Sequence, residues 1–275
     1  MKIGAHVSIA GGVQNAPQNA AKIGCECFQM FTRSPQGGKA PKLNSQTVKE
    51  FQANCKKVKI SNYYVHTPYY INLASSNNRI RYGSISVIRD DLERGSLLGA
   101  KALMTHLGSA TDLGPGPALK TVVEGLRKIL EGYKGKTQFL MEISAGSGNI
   151  IGDTFEEISR IIKALPKFNI GVCFDTCHAF VSGYDLRTKA AVDKTLKQFD
   201  QKIGLENLVL IHANDAKKDL GSHTDRHEHI GYGQIGQEGF RALMHYPSLN
   251  NVDFILETPP GGNVNDIKTL KNLRS

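Results

Sequence analysis

The chain has 275 residues, and its 34 Lys and Arg against 25 Asp and Glu give a formal net charge of +9. A hydrophobic content of 40% and a charged content of 21% are typical of a globular protein and exclude a disordered or fibrous chain. Polar residues interrupt the amino-terminal segment, and no apolar run reaches the ~18 residues of a membrane span, so we expect neither secretion nor membrane insertion.

Short β-rich runs recur along the chain, and several are continuously apolar, as is typical of parallel strands covered on both faces. The predicted strands are Ile3–Ile9, Cys25–Thr32, Tyr63–Thr67, Ala102–Leu107, Gln138–Ile143, Ile170–Asp175, Leu208–Ala213 and Asp253–Glu257. Apolar residues spaced three or four apart predict a helix after each strand, over Val13–Ile23, Gln46–Val58, Ile85–Leu98, Ala118–Leu130, Thr154–Leu165, Ala190–Ile203, Glu238–Met244 and Ile267–Leu273. This alternation predicts an α/β fold, a (β/α)8 TIM barrel that forms a single domain over residues 1–275.

Ligand-type side chains stand at the ends of six consecutive predicted strands. From the third strand to the eighth they are His66, His106, Glu142, Asp175, His212 and Glu257. A single polar residue at a strand end is usually an ordinary hydrogen-bonded group. Six around one mouth would bury charge that requires cations to neutralise it. We therefore predict a metal site at the carboxyl face of the barrel, where the active sites of this architecture lie.

Two local motifs extend this set. Asp175 and His178 are three residues apart where the chain leaves the sixth strand, so one turn can offer ligands to adjacent metals. The triplet Asp225-Arg226-His227 places a carboxylate and an imidazole on the same side of an extended loop. The nine candidates, five His, two Asp and two Glu, contain no thiolate. Such a set fits catalytic zinc and also accommodates manganese or iron.

Four segments of the chain read GAHVSIAGG, GVCFDTCHAFVSGYDLRT, HANDAK and DRHEHIGYGQIG. In these segments the chain resembles endonuclease IV, the zinc-dependent apurinic/apyrimidinic endonuclease of base-excision DNA repair, and the resemblance extends from Lys2 to about Thr258. It implies an enzyme that hydrolyses the phosphodiester 5′ to abasic sites in double-stranded DNA and trims blocked 3′ ends. We accordingly expect an intracellular monomer, located in the cytoplasm or on DNA.

The resemblance also implies how three zinc ions per chain divide the nine ligands, with manganese or iron acceptable at one position. The first zinc takes His66, His106 and Glu142, the second shares Glu142 and adds Asp175, His212 and Glu257, and the third takes His178, Asp225 and His227. Glu142 and Glu257 are also the candidate catalytic residues, since either carboxylate could orient the attacking water.

Candidate DNA contacts follow from the predicted mouth loops. Tyr69 and Tyr70 come after His66 and either stack on DNA or pack their own loop, and Tyr69 matches a DNA-contacting position of the family. Basic side chains on the same face are candidates for phosphate contacts, and they are Arg33, Lys39, Lys42, Lys217, Lys218 and Arg226.

The second βα loop departs from the family pattern. Gln36 stands where endonuclease IV proteins commonly carry an Arg, and Gly38 stands where they carry a bulky aromatic residue. Gly37 and Gly38 are expected to make this loop mobile. Either damage recognition depends more on phosphate contacts in this chain, or Tyr69, Tyr70 or Arg33 compensates.

Four histidines lie outside the predicted ligand set. His6 either supports the site or is a hydrogen-bonded core residue, and His223, His229 and His245 are expected to be exposed.

Two other functions remain as alternatives. One is a divalent-metal sugar isomerase or epimerase on the same barrel, which the third ligand group and the basic charge disfavour. The other is a DNA-damage-binding module with structural metals, which the lack of thiolate ligands disfavours.

Overall fold

Eight parallel strands close a barrel in which each strand pairs with its neighbours in the chain. In the computed structural model, which describes residues 1–275, they are β1 (Ile3–His6), β2 (Cys27–Met30), β3 (Tyr63–His66), β4 (Ala102–Thr105), β5 (Gln138–Glu142), β6 (Ile170–Asp175), β7 (Leu208–His212) and β10 (Asp253–Leu256). The parallel pairing of β1 with β10 places Gly4 opposite Ile255 and completes the ring. The predicted TIM barrel is confirmed, and most strands are shorter than the sequence pattern indicated.

Helices surround the barrel, and one begins well before its predicted start. The helices are α1 (Ala16–Lys22), α2 (Ser45–Lys57), α3 (Asn78–Leu98), α4 (Pro115–Leu130), α5 (Phe155–Ala164), α6 (Thr176–Val181), α7 (Lys189–Lys202), α8 (Gly236–Met244) and α9 (Asn263–Arg274). Helix α3 begins seven residues before Ile85 because Asn77 caps it, accepting hydrogen bonds from the backbone amides of Arg79 and Ile80. Its first turn is exposed and has no apolar spacing, so the periodicity does not detect it.

One helix and one two-stranded ribbon beside the strand ends were not predicted. All six residues of α6 are buried, so the helix lacks the polar face by which an amphipathic helix is recognised. Strands β8 (Asp215–Ala216) and β9 (His227–Glu228) pair antiparallel within the connection after β7. This short ribbon returns the chain towards the barrel mouth, where it places His227.

Side chains fill the interior of the barrel below its mouth. Seven of the eight barrel strands contribute to one buried cluster of Cys27, Tyr64, Ala102, Met104, Leu140, Cys173, Leu210 and Ile255. The remaining strand, β1, contributes Gly4, where a Cβ atom would lie 1.8 Å from the carbonyl oxygen of Cys27. At the amino end, Asp253 accepts hydrogen bonds from the Tyr64 hydroxyl and from the backbone amide of Lys2, each at 2.8 Å. This hydrogen-bonded carboxylate and the buried cluster fill the barrel interior below the strand ends that carry the predicted ligands.

None of the helices is both long enough and apolar enough to cross a membrane. All five cysteines are buried as free thiols.

Candidate metal centre

Three strand ends bring the first predicted ligand group together. His66 ends β3, His106 follows β4 and Glu142 ends β5, and one ligand atom from each lies within 4.8 Å of the others. The Oε2 atom of Glu142 lies 2.9 Å from Nε2 of His66 and 3.6 Å from Nε2 of His106. Two imidazoles and one carboxylate at these distances form a pocket that a single divalent cation fits.

The second group shares Glu142 with the first. Ligand atoms of Glu142, Asp175, His212 and Glu257 lie within 4.8 Å of one another. Nδ1 of His212 lies 2.9 Å from the other oxygen of Glu142, 3.4 Å from Oε2 of Glu257 and 3.8 Å from Oδ2 of Asp175. Because the two oxygens of Glu142 face different histidines, this carboxylate is placed to bridge two cations.

The third group is assembled by α6 and the β8–β9 ribbon. Asp175 caps α6 by accepting a hydrogen bond from the backbone amide of His178 at 2.8 Å, so one turn holds both side chains. Nε2 of His178 lies 3.3 Å from Asp225, and Nε2 of His227 lies 3.4 Å from the same carboxylate. The structure therefore brings all nine predicted ligands into three adjacent groups.

A thiol also approaches this cluster, because Cys177 lies with Asp175 and His227 in a further group of ligand-type atoms. Burial raises the pKa of Cys177, and its Sγ donates a hydrogen bond to the backbone oxygen of Arg226 at 3.6 Å. This contact engages the thiol with the backbone, while His178, Asp225 and His227 form a group of nitrogen and oxygen donors beside it.

Ring orientation shows that the cluster suits cations. Nδ1 of three histidines donates to a backbone oxygen: His66 to Thr67 at 2.6 Å, His178 to Ile143 at 2.9 Å and His227 to Glu257 at 3.0 Å. A carbonyl oxygen only accepts, so Nδ1 carries a proton and Nε2 is left facing the cluster, which is the usual arrangement of metal-binding histidines. His106 differs, since its Nδ1 is buried without a hydrogen-bond partner.

The charges of the cluster are strongly coupled. Burial alone would raise the pKa of Glu142, but His106 and His212 hold that pKa well below its usual range. Burial likewise opposes ionisation of Asp225, yet His178 lowers its pKa to about 2. Positive charge beside Glu142 and Asp225 therefore stabilises their ionised forms, and a bound divalent cation would supply such charge.

A cavity of about 570 Å³ opens over the cluster. Its lining includes His6, His66, Tyr69, His106, His178, Asp225, His227 and Glu257. The Tyr69 side chain is 73% exposed, and its ring packs edge-on against Phe31 with centroids 5.3 Å apart. Predicted metal ligands and an exposed aromatic ring thus meet in one open site.

The other predicted DNA contacts, apart from Arg33, lie on the surface. Tyr70 is 42% exposed, and a Cβ atom on Gly37 would lie 3.8 Å from its ring, so the loops after β2 and β3 are neighbours. Gln36 and Arg226 are exposed, and Arg226 donates to the backbone oxygen of Asp225 at 2.7 Å. The four predicted lysines of the mouth loops, Lys39, Lys42, Lys217 and Lys218, are also exposed.

Arg33 requires a correction. Its side chain is buried, with Nε donating to Asp91 at 2.8 Å and the end of the guanidinium paired with Asp90. These two carboxylates on α3 occupy the donors that a phosphate would need. Arg33 therefore holds the base of the second βα loop and is not available for phosphate contact.

Two polar residues that contact the predicted ligands were not predicted from the sequence. Gln29 in β2 contacts both His212 and Glu257. Asn214 donates to Asp175 at 2.7 Å and accepts from the backbone amide of Glu257 at 2.8 Å. Asn214 lies inside the HANDAK segment, which was the available signal, whereas nothing in the sequence distinguishes Gln29 from other strand residues.

The remaining histidines separate into two kinds. His6 lies at the site, with Nδ1 3.3 Å from Glu257, whereas His223 and His245 are exposed as predicted. The prediction that His229 is exposed is wrong, because its Nδ1 bonds Asp266 at 2.8 Å and its ring is half-buried.

Comparison with known proteins agrees with this geometry. Residues 17–273 match the xylose isomerase-like TIM barrel family. A probable endonuclease 4 of Cenarchaeum symbiosum is 39% identical over 278 aligned positions, which cover 100% of this chain and 99% of the relative. The crystal structure of endonuclease IV from Thermus thermophilus superposes with a TM-score of 0.89 at 32% identity, covering 99% of this chain and 98% of that chain.

A D-tagatose 3-epimerase-like protein has a TM-score of 0.76 at 20% identity, covering 99% of this chain and 97% of that one, which shows a shared fold alone. The similarity to the endonucleases extends over the full chain and includes the barrel on which the ligand groups stand. The chain therefore belongs to the endonuclease IV family, the apurinic/apyrimidinic endonucleases among the xylose isomerase-like TIM barrels.

Proposed function

We propose that this endonuclease hydrolyses the phosphodiester on the 5′ side of abasic sites in double-stranded DNA, and that it also trims blocked 3′ ends. The observation that carries the proposal is the double use of Glu142, whose two oxygens each lie 2.9 Å from a histidine of a different ligand group. A third group of His178, Asp225 and His227 lies beside them. If the chain bound only one or two metals, at least one of these three ligand groups would hold no metal of its own.

The proposed cofactor is zinc, three ions per chain, with manganese or iron accommodated at one position. Imidazole and carboxylate donors without an ionised thiol fit catalytic zinc. The proposed ligands are His66, His106 and Glu142, then Glu142, Asp175, His212 and Glu257, and finally His178, Asp225 and His227. Divalent ions at such positions supply Lewis-acid charge for the anionic phosphodiester and a water of lowered pKa.

The two glutamates differ in their access to substrate. The Glu142 side chain is fully buried, whereas that of Glu257 is 20% exposed and lines the cavity. We assign Glu142 to binding two cations and Glu257 to orienting the attacking water as well as binding one cation. A carboxylate within the cavity accepts hydrogen bonds from water, so it can fix the direction from which water approaches phosphorus.

The rim of the cavity supplies the proposed DNA contacts. Tyr69 and Tyr70 present aromatic surface to the space that an abasic site leaves in the base stack. Gln36 lies exposed on the loop after β2 and Arg226 on the connection after β7, where they can contact the sugar-phosphate backbone. We further propose that residues 1–275 act as a single catalytic domain and that the enzyme is a monomer.

A nicking assay tests the proposed function. A labelled duplex with one abasic-site analogue is incubated with zinc-loaded protein, and an intact duplex serves as the control. We expect a single nick 5′ to the analogue that leaves a 3′ end extendable by a polymerase. An intact abasic strand after incubation with protein that holds its zinc would overturn the proposal.

A further inference from the structure

Gln29 connects two of the proposed metal ligands through its side-chain amide. It lies in β2 and is fully buried beneath the cavity. Its Oε1 lies 2.7 Å from Nε2 of His212, and its Nε2 lies 2.6 Å from Oε1 of Glu257. The same Nε2 lies 3.0 Å from Nδ1 of His6, which itself lies 3.3 Å from Glu257.

The chemistry of the partners determines where the oxygen and the nitrogen of the Gln29 amide lie. The Glu257 carboxylate can only accept, so the amide nitrogen must face it. The amide oxygen then faces His212, and because that oxygen can only accept, Nε2 of the imidazole must carry a proton. Nδ1 of His212 is thereby left as the atom that faces Glu142 and Asp175.

The same contact orients Glu257. One carboxylate oxygen accepts from Gln29, while the other, Oε2, lies 3.4 Å from Nδ1 of His212 on the side of the ligand cluster. An amide alone among side chains of this length offers an acceptor at one end and a donor at the other. One buried residue on β2 thus holds ligands that stand on β7 and just after β10.

We propose that Gln29 is a positioning residue, which fixes the tautomer of His212 and the orientation of Glu257 and so sets the metal affinity of the second ligand group. This inference rests on the proposed function, since zinc binding by that group is itself a proposal. Partners of this kind typically change metal affinity about 10- to 100-fold when they are removed.

Two variants test the inference. Gln29→Met keeps the length of the side chain and removes both hydrogen bonds without adding a charge. Gln29→Glu keeps an acceptor for His212 but sets a second carboxylate against Glu257. Gln138→Met is the matched control, because Gln138 begins β5 at the other end of the barrel, where it contacts Asn169.

Two measurements are made with zinc alone on the full chain. Competition with a chelator gives the dissociation constant of each bound zinc, and nitrogen-15 NMR of the imidazole rings gives the tautomer of His212. We expect one of the zinc ions to bind about 10- to 100-fold more weakly in Gln29→Met, and the exclusive Nε2–H tautomer to be lost. Gln29→Glu is expected to keep that tautomer and still lose zinc affinity, and Gln138→Met is expected to match the wild type.

The outcomes separate this inference from the function on which it rests. If the wild type binds zinc and nicks abasic DNA while both Gln29 variants keep its zinc affinity and its His212 signature, the role of Gln29 is overturned and the function stands. If the wild type takes up no zinc, the proposed metal centre fails, and the role of Gln29 fails with it. Thermal melting identifies a variant that has not folded, and the other variant then decides the question.

Discussion

Oε1 of Glu142 lies 2.9 Å from Nδ1 of His212, on the opposite side of the carboxylate from His66. This relationship places one fully buried negative charge between two groups of ligands. Glu142 is therefore the one residue that both groups share.

Glu142→Gln removes the shared charge and leaves one donor and one acceptor where two acceptors stood. We expect cleavage of an abasic duplex to fall by about 100-fold or more, while DNA binding largely persists, because the surface loops are unchanged. Single-turnover kinetics and a gel-shift titration measure the two quantities. Glu124→Gln, an exposed position on α4, is the control. Near-normal turnover in Glu142→Gln would remove Glu142 from the site.

His178→Ala removes a ligand that belongs to the third group only. Because the first two groups do not use His178, we expect zinc content to fall from about three to about two ions per chain, with reduced cleavage. Elemental analysis of protein prepared without chelator measures the content, and His245→Ala, an exposed histidine on the surface, is the control. Full zinc content together with full activity would show that no third site depends on His178.

Asp91→Ala tests the role that the structure gives to Arg33. Asp91 is fully buried and accepts from Nε of Arg33 at 2.8 Å and from the Thr32 hydroxyl at 2.6 Å. Loss of one partner of a buried pair costs about 3–5 kcal/mol, so we expect a fall of that size in the free energy of unfolding. Denaturant titration measures it.

The exposed pair of Asp185 with Arg187 supplies the control, because Asp185→Ala should cost about 1 kcal/mol or less. We also expect Asp91→Ala to raise the KM for abasic DNA without changing the zinc content, since Arg33 stands at the base of the loop that carries Gln36. A stability equal to that of the wild type would show that this buried pair does not hold the loop.

Gln36→Arg tests whether the second βα loop limits damage recognition. Gln36 is exposed beside Gly37 and Gly38, whose φ angles of 113° and 93° favour glycine, so an Arg at position 36 is a milder change than an aromatic residue at position 38. A new charged contact is worth roughly 1–3 kcal/mol, and we expect the preference for abasic over intact duplex to rise accordingly.

The measurement is a comparison of the two duplexes across a salt series. Gln52→Arg adds the same charge on the exposed face of α2 and should change both affinities only slightly. If Gln36→Arg leaves the ratio of the two affinities unchanged, this loop does not limit recognition, and the neighbouring Tyr69 and Tyr70 supply what it lacks.

The barrel and the ligand set could be predicted from the sequence because both follow from local patterns. Apolar runs such as Ile170–Asp175 indicate buried strands, and a barrel brings all strand ends to one rim. The grouping of the ligands depends on distances across the rim, so the sequence supported the division into three only through family resemblance.

What could not be predicted depends on contacts between distant segments. Arg33 lies on a mouth loop in sequence, but its pairing with Asp91 joins positions 58 residues apart. Gln29 is a polar residue in a strand pattern, and only the closed barrel places it beneath His212, 183 residues away. Helix α6 was not predicted because all its residues are buried, so its sequence lacks the amphipathic period.

A crystal structure of the zinc-loaded protein, with anomalous diffraction at the zinc edge, would show whether nine residues hold three metals. We predict three peaks, each about 2.0–2.3 Å from the nitrogen or oxygen atoms of its own ligand group, with Glu142 bound to two of them. A single peak, or a zinc ion bound to the sulfur of Cys177 in place of His178 and Asp225, would contradict this prediction.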